Sequence, residues 1–348
     1  MLNLELVIDG YAWSGWKSIR VVRSIKQAAN TFDLELTDRW VGQQSIRPIS
    51  DDSKCQLLID GEIVISGYVF EIMPSYDADS HDLAVSGLSA AADLVDCSTK
   101  GKQFSGRTLL QIATDLAAPF GIAVSAETDI GGPFEKVALE AGQSIFDFLE
   151  ELSRIRGVRL VSKADGSITF IRTGTTVAPT ALVYGQNIKA ATAKFSSSER
   201  FSEYRVLGQT SGTDLFHGER AAHAEALIKD LGLRYRPICI VADGPAHTAD
   251  CKTRSAAEKN RRDGEGQSVT YTVQGWRHAA GLWEPNVLVD VQDPLMKING
   301  RLLISQVTFS IDDNGGSLTT LEVAPKEAFD LEPVPAKAKH SKSSAELQ

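Results

Sequence analysis

A turn-and-strand segment near the start of this chain returns, reworked, near its end, and a β-module that repeats restricts the possible folds more than any single motif. The first copy is Ile59-Asp60-Gly61-Glu62-Ile63-Val64-Ile65-Ser66 and the second is Ile298-Asn299-Gly300-Arg301-Leu302-Leu303-Ile304-Ser305. Ile, Gly, Ile and Ser fall in register. Each copy follows an alternating strand that leads to a tryptophan, Phe32 to Trp40 and Val269 to Trp276. Each is followed by a second strand, a polar hairpin loop and a third strand. Asp-Gly and Asn-Gly between alternating apolar runs are strong short-range hairpin signals. If the duplication is real, 59–66 and 298–305 occupy matching places in two similar sheets.

The 348 residues are 43% hydrophobic and 23% charged, enough for two or three cores. A net charge of -9 disfavours broad binding to nucleic-acid phosphates. Cys55, Cys97, Cys239 and Cys251 are widely spaced with no Cys-x-x-Cys pair, which predicts free thiols rather than zinc, redox chemistry or a disulfide scaffold. Met1 to Leu6 alternates like a strand and has neither the basic start nor the apolar stretch of a signal peptide. No apolar run is long enough to span a membrane.

Residues 1 to about 97 are expected to be β, with many short strands and Gly or Asp turns, as in a small antiparallel barrel or sandwich. Ser89 to Val95 is expected to close it as a short helical turn. Helical spacing then sets in, with Leu109, Ile112, Ala113 and Leu116 on one face. A second helix starts at the N-cap Ser144, carries Ile145, Phe148, Leu149, Leu152 and Ile155 as its apolar stripe, and ends at Gly157. A strand in Arg200–Gly208, a helix over Glu219–Leu231, a buried strand at Ile238–Ala242 and a charged helix from Thr248 to about Arg262 are expected next. The predicted division is 1–104, a first β-barrel with a strand from after residue 200 as a candidate to complete it; 105–188, an α+β domain; 189–266, a mixed linking region with helices; 267–330, a second β-barrel module; and 331–348, a disordered Pro/Ala/Lys/Ser tail.

Motifs of catalysis are missing: no phosphate loop, no nucleophile elbow, no His-Glu-x-x-His helix. Asp77, Asp79 and Asp82 lack the glycine and the distal bidentate acid of a calcium loop, and Asp312-Asp313-Asn314-Gly315 sits at the same hairpin in the second copy, so solvated turns are expected. His247 and Cys251, four apart at a helix start, are two ligands and no more; His217 and His223 have no third. Glu150-Glu151 lies within a helix and at least one of them faces solvent. Lys252, Arg254, Lys259, Arg261 and Arg262 are diluted by acids, so a solvated helix face is expected, with an electrostatic partner contact as the sharper alternative. Trp276 and Trp283 with Pro285 could make a sugar platform, but in a β-module they more often anchor a core.

Over residues 4 to 330 the chain resembles the baseplate hub proteins of Mu-like contractile-tailed bacteriophages, also called tail protein P. The carriers are Asp9-Gly10 through Gly15-Trp16, Arg23-Ser24-Ile25, Arg107-Thr108-Leu109 through Gly121, and Arg200-Phe201-Ser202-Glu203-Tyr204. They continue with Tyr235-Arg236-Pro237 through Asp243, Leu282-Trp283-Glu284-Pro285-Asn286, and Ala324-Pro325-Lys326-Glu327. Their order and spacing, rather than any one of them, makes the match.

The resemblance implies an α+β, predominantly β fold: two similar antiparallel β-barrel domains with an intervening α/β domain. It implies a structural protein of the virion tail baseplate, assembled in the host bacterial cytoplasm. Its partners would be two further copies of itself in a homotrimer, the central spike protein, and the tail tube or other baseplate proteins. Two barrels in each of three subunits would give a pseudo-sixfold ring, with DNA passing its channel without specific binding. It implies no catalytic, cofactor-binding or metal-binding residue, no cofactor and no membrane insertion. A type VI secretion-like or prophage-derived spike hub is the neighbouring alternative. A tail-associated cell-wall hydrolase or a carbohydrate-binding protein would instead need convergent polar groups.

Overall fold

The computed structural model describes residues 3–37, 49–78, 81–209, 224–245, 248–312 and 316–330. Seven strands come first: β1 Leu4–Ile8, β2 Tyr11–Trp13, β3 Ser18–Ser24, β4 Thr31–Thr37, β5 Lys54–Ile59, β6 Glu62–Tyr76 and β7 His81–Ser89. The middle block follows with α1 Ala92–Asp96, β8 Lys102–Arg107, α2 Leu109–Ala117, β9 Val124–Ala126, β10 Phe134–Leu139, α3 Ile145–Arg156, β11 Arg159–Ser162 and β12 Ile168–Ile171. Two short strands, β13 Thr176–Val177 and β14 Leu182–Val183, lead to β15 Ile188–Phe195. Then come β16 Glu203–Gln209, β17 Ala224–Lys229, β18 Pro237–Pro245 and α4 Thr248–Glu265. The chain ends its described part with β19 Gln267–Gln274, β20 Arg277–His278, β21 Gly281–Leu282, β22 Val287–Asp293, β23 Ile298–Asp312 and β24 Gly316–Ala324.

The main sheet has 14 strands and runs β15-β19-β24-β23-β3-β4-β7-β6-β5-β1-β2, with β22 also paired to β23. Within it one pattern occurs twice: β3-β4-β7-β6-β5, then β15-β19-β24-β23-β22. Both centre on a 15-residue strand, β6 or β23, broken by a single bulge against its hairpin partner. The bulge falls between Val69 and Glu71 in one and between Ile304 and Gln306 in the other. The ladders then match step by step. Val69 faces Gly87, Gly87 faces Phe32 and Phe32 faces Val21. Ile304 faces Val323, Val323 faces Val269 and Val269 faces Ala193.

The duplication is thus present in the topology, but the eight-residue sequence match is out of register. In that match Ser305 aligns with Ser66; in the ladders it falls on Phe70, four residues further on. The turn halves differ for a local reason. Asp60 and Gly61 have φ of 49° and 82° and make the hairpin between β5 and β6. Asn299 and Gly300 instead lie inside β23, facing Gln292 and Val291. The second turn comes earlier, where the Asp293 carboxylate accepts the N–H groups of Leu295 and Met296 at 3.1 Å and Lys297 takes a φ of 56°. The carboxylate ties the chain back on itself before Asn299, so the Asn-Gly pair is not needed for the reversal. Trp40 and Asp313-Asn314-Gly315 lie outside the described residues.

A continuous apolar layer lines both halves of the sheet, from Leu6, Phe32, Leu57 and Val85 to Tyr271, Trp276, Phe309 and Leu321. The middle block has its own core, closed by α2 and α3. Thr108 and Gln111 cap α2 with a reciprocal pair of hydrogen bonds, and Leu109, Ile112, Ala113 and Leu116 are buried as the spacing predicts. Ser144 caps α3 by accepting from the Asp147 N–H, and Gly157 ends it at φ 64°.

Two expectations between residues 200 and 245 are corrected. The helix over Glu219–Leu231 is not formed where it is described: 224–229 is the strand β17, paired antiparallel with β16. Ala, Glu, Leu and Lys favour helix locally, but alternation governs here. Ala224, Ala226 and Ile228 face inward, while Glu225, Leu227 and Lys229 face out. The strand expected at Ile238–Ala242 is present as β18, yet it is not a buried one. It flanks β16 in a three-stranded sheet covered on one face, leaving Cys239 and Val241 exposed. Its run of apolar residues imitates a fully buried strand, although only Ile238 and Ile240 turn inward.

Candidate interaction surface

The residues singled out for chemistry are not brought together. Among the described residues no group of three or more His, Cys, Asp or Glu is placed to hold a metal. Asp82 pairs with Lys17 at 2.6 Å, Glu150 pairs with Arg154 at 2.9 Å, and Glu151 accepts from Gln143. Asp79, His217, His223 and His247 lie outside the described residues. Cys251 is fully buried, with its thiol toward the Ala224 carbonyl. Trp276 and Trp283 are buried too, so neither offers a face to a sugar. On α4 three of the cations pair within the helix: Arg261 and Arg262 bind Glu258, Arg261 also binds Glu265, and Lys259 binds Asp263. Arginines hold Glu258 below its ordinary pKa against the opposing push of burial.

The motif residues make joints instead. Arg200 donates to Asp263 at 2.7 Å and to Asp230 at 2.8 Å, tying the β16–β18 sheet to α4. The guanidinium groups of Arg236 and Arg262 both lie over the Phe201 ring, and the Phe201 N–H donates to the Tyr204 hydroxyl. The Ser202 hydroxyl accepts the Arg236 N–H. This unit buries few apolar groups, chiefly Val206, Ala224 and Cys251, so its polar joints matter more than those of the large sheet. Burial pushes the Asp230 carboxyl upward, but the Gly232 N–H and Arg200 outweigh it and hold it below its ordinary value. A depressed folded pKa stabilises at pH above the unfolded value, and that support is lost as pH falls through the folded one. Acidification below about pH 4 should therefore open β16–β18 and α4 before the main sheet. Amide exchange at Val206 and Tyr204 across a pH series reads this, and Arg200→Met should cost about 2 kcal/mol at neutral pH and flatten the dependence.

A second set of joints fastens the two halves of the main sheet. The C-terminal part of β23 pairs antiparallel with β3, from Gln306 opposite Ser24 to Ile311 opposite Ile19. The Ser305 carbonyl accepts from both the Ile25 N–H and the Ser24 hydroxyl. Arg23, facing Val307, is 7% exposed and reaches Glu284 at 3.5 Å. Burial pushes the guanidinium pKa down and Glu284 opposes it. Asn286, at φ 66°, donates its N–H to the Ile304 carbonyl and accepts from Gly174. Arg277 adds pairs to Asp60 and Glu62 of the β5–β6 turn. No local sequence pattern fixes the partners or the register of this seam, which lie some 280 residues apart.

Other edges of the sheet are uncovered among the described residues. Beyond Val69, β6 pairs only with β7, and β15 pairs only with β19. Phe70, Met73 and Tyr76 on the first edge are 67%, 49% and 82% exposed, and Phe195 on the second is 60% exposed. Bare edges with large apolar side chains are docking surfaces or aggregation hazards.

Two antiparallel modules joined edge to edge, with an α+β block between them, place this molecule among phage tail proteins. It is similar to the 43 kDa tail protein of prophage MuSo2 from Shewanella oneidensis, with a TM-score of 0.84, 34% identity, and 95% of this chain and 100% of that one covered. It is similar in fold to the tail protein of Neisseria meningitidis MC58, with a TM-score of 0.79, 23% identity, and 97% and 99% covered. Residues 3–89 match the N-terminal model of Mu phage baseplate assembly protein GpP-like. Residues 91–172 match the second domain of baseplate hub protein gp44-like, and 247–332 the fourth domain of GpP. Baseplate hub protein gp44 of Escherichia phage Mu is 32% identical over 98% of this chain and 92% of its own length. The chain belongs to the Mu-like baseplate hub family. A type VI secretion component of E. coli shares the fold at 12% identity and a TM-score of 0.57, with 95% of this chain and 80% of that one covered.

Proposed function

We propose that this baseplate hub protein works as a homotrimeric ring in the tail baseplate. One face of the ring meets the tail tube or other baseplate proteins, and the other meets the central spike. The observation that carries this reading is the duplicated module. A trimer of duplicated subunits presents six near-equivalent units to a sixfold neighbour while keeping true threefold symmetry for a spike. The chain's role is structural, without catalytic, metal or cofactor residues. Its acidic charge suits a channel wall along which DNA passes without adhering. Residues 1–104 serve as one ring module and 267–330, completed by β15, as the other; the rest of 105–188 and 189–266 forms the domains between them, and 331–348 a tail. The particle is assembled in the bacterial cytoplasm and the chain ends up in the virion baseplate. The fold shared with the type VI component supports the neighbouring reading of a secretion or prophage-derived spike hub. Light scattering tests the trimer: the expected mass is three times the 37.7 kDa chain. A monomer at assembly concentrations, with and without spike protein, overturns it.

A further inference from the structure

We propose that the bare edge of β6 in one subunit receives β15 of the next, antiparallel, repeating between chains the pairing that β23 and β3 make within one. This inference rests on the trimeric reading and supplies its contact. The ladders equate β6 with β23 and β3 with β15: Val69 corresponds to Ile304 and Val21 to Ala193. In the second module the edge beyond the bulge is covered by β3. Among the described residues the same edge in the first module is bare, and so is that of β15, the strand equivalent to β3. The described part of the chain therefore leaves a donor edge and an acceptor edge, which is a head-to-tail contact that closes into a ring when the rotation permits.

The register follows from the internal seam. Ser24 opposite Gln306 becomes Ser196 opposite Glu71, and Ile19 opposite Ile311 becomes Ala191 opposite Tyr76. This register sets like faces together. Ile72, Ala191 and Ala193 all pack against the apolar layer of their own modules. Phe195 then lies opposite Ile72, at the place Arg23 holds opposite Val307 within the chain. Arg23 is 7% exposed there, and Phe195 is 60% exposed in the single chain. Covering the new edge would bury Phe195 as Arg23 is buried now. On the other face Lys194 lies opposite Met73 and diagonal to Glu71, a favourable charge neighbour. A slip of one residue would set Lys194 against Ile72 and lose both relations. Pro74 withholds one N–H from the ladder, so this seam has fewer backbone bonds available than the internal one and relies more on Phe195 and Ile72.

The test is a cross-link in the full chain, with Cys97 and Cys239 replaced by serine. Met73→Cys together with Lys194→Cys should, on oxidation, give covalent two-chain and three-chain bands on a non-reducing gel. Neither single variant should do so, and Met73→Cys with Phe195→Cys should cross-link far less. Phe195→Asp should raise the trimer dissociation constant roughly tenfold or more by setting a carboxylate against Ile72 on the apolar face. Its monomer should melt as the parent does, because the residue is exposed. Trimers by light scattering with no band above one chain overturn the edge pairing and leave the trimer standing. A parent that stays monomeric, alone and with spike protein, overturns the trimeric reading and this contact with it.

Discussion

Trp276→Ala should lower the unfolding free energy of the second module by about 4 kcal/mol, the middle of the range for emptying a buried aromatic site. The ring is fully buried and meets Phe309 edge to face at 6.1 Å. Its indole N–H donates to the Ser310 carbonyl at 3.1 Å. Both contacts fall on β23, the strand that carries its own hairpin and the seam with β3. The cavity therefore opens beneath the one strand shared by both halves of the sheet. Trp276→Phe keeps part of the volume and loses the hydrogen bond, so about half the cost is expected. Leu231→Ala is the control: the side chain is 91% exposed and its removal should change little. Denaturant titration followed by far-UV circular dichroism measures all three. A Trp276→Ala variant within 1 kcal/mol of the parent would contradict this account of the core, since that is below the usual cost of such a void.

Gly67→Ala should cost about 3 kcal/mol although it adds one methyl group. A Cβ at this position would stand 1.9 Å from the Leu88 carbonyl oxygen and 2.7 Å from the Ser89 Cα. Both obstacles are backbone, so no side-chain rotation relieves them and the strands must part. Gly67 faces Ser89 where β7 leaves the sheet toward the middle block. Ser89 is held there by the Asn30 carbonyl, and its hydroxyl accepts the Asn30 N–H. Displacing it disturbs β4 and the start of α1 together. Gly61→Ala is the comparison, since nothing lies within 4 Å of its Cβ and only its φ of 82° opposes the change. That should cost about 1 kcal/mol. Equal melting of the two variants by calorimetry would rule out the close approach as the cause.

Much of the middle block was legible because its signals are local. Thr108 with Gln111, Ser144 and Gly157 set helix ends through contacts within a few residues, and the stripes of α2 and α3 show which faces are buried. The region from 200 to 245 was less legible. Its alternation in Ala224–Lys229 is carried by small residues with helical propensity, and β18 has apolar residues on both faces while only one is covered. The residues that marked the family became joints: Arg200 to Asp230 and Asp263, Arg23 to Glu284, Asn286 to Gly174 and Ile304.

By itself the sequence determined that this chain makes strands twice in one pattern, where α2 and α3 start and stop, and which family it resembles. Those properties depend on neighbours along the chain or on order over its whole length. Tertiary structure alone decided the register of the repeat, the seam between β3 and β23, and which edges are left bare. A β-ladder is specified by side chains on a partner strand that can be hundreds of residues away, and a shift of four residues preserves the alternation of faces. The eight matched residues at 59–66 and 298–305 therefore announced a duplication correctly and aligned it wrongly, and only the positions of the two bulges placed it.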